Sequence, residues 1–320
     1  MSRPGTALRR TAAATTAALF CALALTSCAQ AGGNASADAK APAVRPAAQS
    51  PKPTATPPSA AELAARRHLA DAKLNVRDGQ SVGVGMPVSL TFPTPVPKGE
   101  RADVERLLEV TTAPAVTGAW SWVKDRNLHQ GQRLDYRPQD YWTPGTKVTV
   151  QAGPDLTRAF TVARSLVATV DVDAHEMTVV EAGRKNTVPV TTGAPGMETW
   201  NGVMVVSDKQ HRVFMDSQTV GYGKSYADWY YYAVHLTTSG TYLHQNPGAD
   251  SAAGRRNITH GCIGLATDGT AKRFYDRVIP GDVVKVVNST DTVDPGNGYG
   301  DWNVDWKDWL KGSALATTAG

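Results

Sequence analysis

Thr259-His260-Gly261-Cys262-Ile263-Gly264 is the stretch that places this 320-residue chain. The thiol of Cys262 has an imidazole two residues before it, at His260, and the glycine between them permits a tight backbone turn. A thiolate nucleophile needs a base within hydrogen-bond reach and a group that orients that base. A second histidine, His244, stands 18 residues before Cys262 (262 − 244), at the end of the strand-like run Thr241-Tyr242-Leu243-His244. The intervening loop, residues 245–259, is rich in Gly, Asn, Ala and Arg, so a strand end and a glycine turn are expected to converge on the thiol. If residues 260–262 are extended, His260 and Cys262 share a face. One cysteine and two histidines without a Cys-x-x-Cys spacing make a poor zinc ligand set, and no metal is expected.

Outward from that run the pattern is β. Residues 166–171, 176–180, 187–192, 202–207, 230–236 and 283–287 read as strands, bounded by polar turns. Ala271, Phe274, Tyr275 and Val278 fall at helical spacing, with Thr267 or Asp268 as cap and Pro280-Gly281 as stop. Upstream, short strands between residues 82 and 162, separated by Pro, Gly and Asp, predict a small β-sandwich. Val104, Leu107 and Leu108 predict a turn or two of helix across its end, and residues 62–72 a short helix before it. Trp120 and Trp122 share a strand face and read as packing.

Cys262 is also the one thiol expected in the mature protein. Arg3, Arg9 and Arg10 precede a small, apolar, acid-free stretch, residues 11–25, that carries Cys21 and has the character of an export signal. Leu25-Thr26-Ser27-Cys28 follows and resembles a bacterial lipobox, with cleavage before Cys28 and lipid on its thiol. The alternative is an ordinary secretory signal with Cys28 unmodified; the stretch is too short and alanine-rich for a membrane span. Loss of residues 1–27 removes three arginines and no acid, taking the formal charge from +4 to +1 (4 − 3). A nearly neutral body argues against nucleic acid as a partner. The expected organisation is a signal peptide (1–27), an Ala/Pro-rich tether (28–73), an immunoglobulin-like domain (74–163), a second β domain (164–289) and a Trp-rich extension (290–320).

His244, the spacer and Thr259-His260-Gly261-Cys262 resemble the signature of the L,D-transpeptidase, or YkuD, catalytic domain. Met215-Asp216-Ser217, Ser239 to His244, Arg256-Asn257, Phe274-Tyr275-Asp276 and Gly281-Asp282-Val283-Val284 look like the same family. Gly83 to Pro87, Gly118 to Trp122, Tyr136-Arg137-Pro138 and Gly300 to Trp309 resemble its lipoprotein, immunoglobulin-domain-bearing branch, so the likeness covers residues 77–312. The fold this implies is mainly β: an immunoglobulin-like sandwich, then a mixed β-sandwich catalytic domain with one or two helices.

The chemistry implied is acyl transfer without a cofactor. Cys262 would attack the carbonyl joining the third and fourth residues of a peptidoglycan stem tetrapeptide and expel D-alanine. A neighbouring stem amine would then attack the thioester, giving a 3→3 cross-link. By the same resemblance His244 is the base, oriented through a backbone carbonyl near Gln245, and His260 supports the thiolate. The amides of Gly261 and Cys262 are the expected oxyanion donors, and Tyr226, Met215, Arg256 and Asn257 the expected substrate contacts. Arg255 and Arg256 suit a stem carboxylate, with a solvated loop as the plainer reading. The membrane, through Cys28, and carbapenem-type β-lactams as covalent inhibitors complete the implied partners. Water or a protein amine as acceptor, or a non-catalytic wall-binding lipoprotein, are the alternatives.

Two positions depart from the family pattern. Gly264 stands where the motif continues with asparagine, and Gly248 where an aromatic residue is common, so a more open or differently shaped pocket is expected.

Overall fold

Along Lys147–Ala152 exposure alternates residue by residue, with Val148, Val150 and Ala152 buried, as a strand covered on one face requires. The computed structural model describes residues 57–126 and 132–316; the expected signal peptide, Cys28 and most of the tether lie outside the described residues. Two four-stranded sheets form the upstream sandwich. One runs in the order Lys73–Leu74, Val88–Thr91, Arg133–Pro138, Gly118–Val123, and the other Gln80–Val82, Leu156–Val162, Lys147–Ala152, Leu108–Ala113. Between them lie Val82, Val88, Val148, Phe160 and Trp142, whose indole N–H donates to the Met86 carbonyl at 2.7 Å.

Order begins earlier than residue 74. A helix, Ala60–Ala70, is capped by Ser59, whose Oγ accepts from the Glu62 amide at 3.1 Å. Ala65 and Leu69, one turn apart, are buried against Leu90, Phe92 and Val104 of the sandwich. The expected helix over 62–72 is therefore two residues out of place, and it belongs to the packed body rather than to a tether. The short helix across the sandwich end is Arg101–Glu105, with Val104 buried.

The second domain stacks two further sheets. Five strands run in the order Arg184–Pro189, Glu176–Glu181, Leu166–Asp171, Val283–Val287, Gly202–Val205. Four run Asp208–Asp216, Ala227–His235, Tyr242–Gln245, Ile263–Leu265. Their shared core holds Leu166, Met177, Met204, Leu243, Ile263 and Phe274 of the Thr270–Arg277 helix. Gly269 is the N-cap of that helix, and Asp268 before it accepts from the Thr270 amide at 2.9 Å.

The domains meet closely at Gly83. Its amide donates to the Pro280 carbonyl at 2.8 Å, and a Cβ there would lie 2.2 Å from the Asp282 nitrogen, so only glycine fits. The Trp-rich extension closes the joint. Arg137 lies under the rings of Trp302, Trp306 and Trp309, at 4.8, 5.3 and 4.8 Å from their centroids. Trp309 donates to the Ala119 carbonyl and Trp302 to the Gly85 carbonyl, so these indoles serve packing. Trp120 and Trp122 also pack, on Tyr136 and Phe92 respectively.

Arg133, 2 % exposed, binds Asp125 and Asp135, each at 2.5 Å, and Asp301 of the extension at 3.3 Å. Burial pushes the Asp301 carboxyl well above its usual range, with Asp135 beside it adding to the effect and Arg133 opposing it. Arg133→Met is expected to cost about 3–5 kcal/mol in urea unfolding, because it strands buried carboxylates. A loss under 1 kcal/mol would show that the cluster does not hold the extension in place.

Candidate active site

Leu243 and Ile263 fix the site by pointing away from it. The strands Tyr242–Gln245 and Ile263–Leu265 run parallel, with Leu243 opposite Ile263 and His244 opposite Gly264. Leu243 and Ile263 are fully buried in the core, so by alternation Tyr242 and His244, with Cys262, present to the opposite face. The thiol and the imidazole are thus diagonal neighbours on adjacent strands. Cys262 is 8 % and His244 3 % exposed.

Hydrogen bonding sets the tautomer. His244 Nδ1 is 2.7 Å from the Gln245 carbonyl oxygen, which only accepts, so Nδ1 carries the proton and Nε2 is left with its lone pair. Burial lowers the His244 pKa to about 4, offset in part by that hydrogen bond. Burial likewise raises the Cys262 thiol to about 11, opposed in part by the Tyr242 amide. The thiol also faces the Gly240 carbonyl, with Sγ 3.7 Å from its oxygen. At neutral pH the resting pair is therefore an uncharged thiol beside an uncharged base.

This has a direct consequence for reactivity. Shifting the thiol from 9.0 to about 11 leaves roughly 100-fold less thiolate at pH 7 than a free cysteine would have. In the His244→Gln variant, which lacks the base, iodoacetamide is expected to alkylate Cys262 slowly at pH 7, about tenfold faster with each pH unit up to 10. A rate that levels off below pH 8 would contradict a neutral resting thiol.

Two neighbouring cavities lie here, and the smaller reaches the sulfur. One of ≈ 200 Å³ is bounded by His244, Asn246, Ile258, His260, Tyr230 and Cys262. Another of ≈ 770 Å³ opens past Gly240, Tyr242, Asp216 and Phe214. Met215 and Tyr226 line both and so form the wall between them. The Tyr226 hydroxyl, raised to about 12 chiefly by burial, stays protonated and able to donate. The amides of Gly261 and Cys262 make no hydrogen bond among the described residues.

Four expectations change in detail. Residues 260–262 are not extended, because Gly261 has φ +102°; His260 reaches the cavity by a turn and packs edge-on against Tyr222 and Tyr226. Asn257 does not reach the cavity. Its Oδ1 accepts from the Thr192 amide and lies 3.0 Å from His175 Nδ1, while Nδ2 donates to the Val172 carbonyl, so it anchors the loop. Arg256 is exposed away from the cavity and holds the loop by its carbonyl, which accepts from Thr191 Oγ1 at 2.8 Å. Nor do the two glycines open the pocket: a Cβ at Gly248 would lie 2.8 Å from Ile258 Cδ1, and one at Gly264 3.1 Å from Asn246 Cβ. The space each gives up is taken by a neighbour.

Tyr230 and Asn246 were not singled out in the sequence. Alternation held the signal for Asn246, which is two residues after His244 on the same face. Tyr230 comes from the facing strand, its ring 4.7 Å from that of His244.

A buried thiol, a tautomer-fixed imidazole and backbone amides without a partner among the described residues stand together beside the cleft. Residues 165–286 match the L,D-transpeptidase catalytic domain, and residues 47–155 a bacterial Ig domain. L,D-transpeptidase 1 of Mycobacterium tuberculosis is 34% identical over 221 residues, covering 68% of this chain and 84% of that protein. L,D-transpeptidase 5 of the same organism is 34% identical over 267 residues, 78% of this chain but 57% of its own length. An LD transpeptidase solved in complex with imipenem superposes with a TM-score of 0.61 at 34% identity, covering 68% of this chain and 98% of that one. The chain belongs to the L,D-transpeptidase family.

Proposed function

We propose that this protein is a peptidoglycan L,D-transpeptidase that makes 3→3 cross-links through a thioester on Cys262. The observation that carries the reading is the tautomer of His244: Nδ1 is tied to the Gln245 carbonyl, so Nε2 is free to take a proton on the face shared with Cys262. In the first half-reaction Nε2 accepts the thiol proton as sulfur attacks the carbonyl between the third and fourth stem residues. The developing oxyanion is met by the Gly261 and Cys262 amides. His244 then returns the proton to the departing D-alanine amine, leaving the thioester. In the second half-reaction the acceptor amine attacks the thioester, His244 takes its proton, and the thiol is restored.

The cavity at the sulfur and the larger one beyond Met215 and Tyr226 suit a reaction with two peptide substrates. β-Lactams mimic the donor, and relatives have been solved with imipenem and with a faropenem-derived adduct. By the sequence, the enzyme works outside the cytoplasm, held to the membrane by a lipid on Cys28 and a short tether.

Incubation with a defined disaccharide-tetrapeptide, followed by mass analysis, is expected to yield free D-alanine and a 3→3 dimer. Free tripeptide alone, with no dimer at high acceptor concentration, would replace transpeptidation with hydrolysis.

A further inference from the structure

Gly264 sits opposite His244 in the parallel pair, so a side chain there would project to the catalytic face. That volume is occupied from the neighbouring strand. A Cβ on Gly264 would lie 3.1 Å from Asn246 Cβ, 3.3 Å from its Nδ2 and 2.9 Å from Thr191 Cγ2. Asn246 thus brings a carboxamide to the place where the family motif carries its own asparagine, but from two residues after the base rather than two after the nucleophile. The carboxamide is also oriented. Its Oδ1 accepts from the Gly248 amide at 2.8 Å, while Nδ2 has no acceptor among the described residues. Asn246 lines the ≈ 200 Å³ cavity together with His244 and Cys262.

We propose that Asn246 positions the donor peptide, its Nδ2 donating to a backbone carbonyl of the stem in that cavity. This rests on the donor being a stem peptide. On a strand, residues two apart are separated by about 7 Å, so Asn246 addresses the bound chain beyond the scissile carbonyl. It holds ground state and transition state alike and should set KM rather than kcat. Gly264 is the other half of the arrangement, because it leaves the space that the carboxamide fills.

The test uses Asn246→Ala, and Asn246→Ser, which keeps an acceptor for the Gly248 amide while removing Nδ2. Both are expected to raise KM for a tetrapeptide donor roughly 3- to 10-fold, the loss of one neutral hydrogen bond, with kcat changed less than twofold. Melting temperature and the iodoacetamide rate at Cys262 should match the parent protein. An unchanged KM in both single variants, with imipenem still acylating the parent, would overturn the role of Asn246 and leave the transpeptidase reading intact. Absence of both imipenem adduct and donor turnover in the parent would overturn both.

Discussion

Cys262→Ala is expected to abolish donor turnover, with a fall on the order of ten-thousand-fold or more, the scale seen when a covalent nucleophile is removed. The reason lies in the environment of the sulfur. Burial beside Gly240 and Tyr242 leaves the thiol on the face it shares with His244, and the described residues contain no second cysteine to replace it. Folding should be nearly unaffected, because Cys262 borders a cavity and loses a single sulfur. Donor consumption by the alanine variant at even 1 % of the parent rate would mean that some other group carries the acyl chain.

His244→Gln is the second large effect, expected at about 10²- to 10⁴-fold in kcat at pH 7. Here the shape of the pH profile tells more than the size. With the thiol at about 11, a variant lacking the base must wait for spontaneous ionisation, present in about one molecule in ten thousand at pH 7. Its rate should therefore climb about tenfold per pH unit towards pH 10. The parent needs only a neutral His244, whose pKa is lowered to about 4, so its activity is lost on the acid side near pH 4 rather than near 6.5. A parent enzyme that loses activity around pH 6.5 would show that His244 is more solvated than its 3 % exposure implies.

Much of this site was legible in the sequence because its determinants are local. A strand ending in His244 and a glycine turn before Cys262 are short-range patterns, and the parallel pairing that joins them follows from their both lying beside apolar core residues. Met215 and Tyr226, inferred by resemblance, do line the cleft. What escaped depends on partners distant in the chain. Asn257 was expected at the substrate by resemblance, yet the groups that consume its carboxamide come from residues 65 to 85 positions away. The filling of Gly248 and Gly264 by Ile258 and Asn246 is equally invisible to a reading along the chain.

The long hairpin Asp208–Asp216 and Ala227–His235 was read only in its second arm. Its first arm opens Asp208-Lys209-Gln210-His211-Arg212, which stays largely exposed and so shows no apolar alternation. The amino-terminal helix was placed two residues late because the Ser59 cap outweighs the acidic start at Glu62.

Intact-mass measurement after exposure to imipenem tests the thioester chemistry most directly. The protein should gain one imipenem mass per chain, mapped to Cys262, and Cys262→Ala should gain none. A parent protein that stays unmodified, or an alanine variant that gains the same mass, would contradict acyl transfer through Cys262.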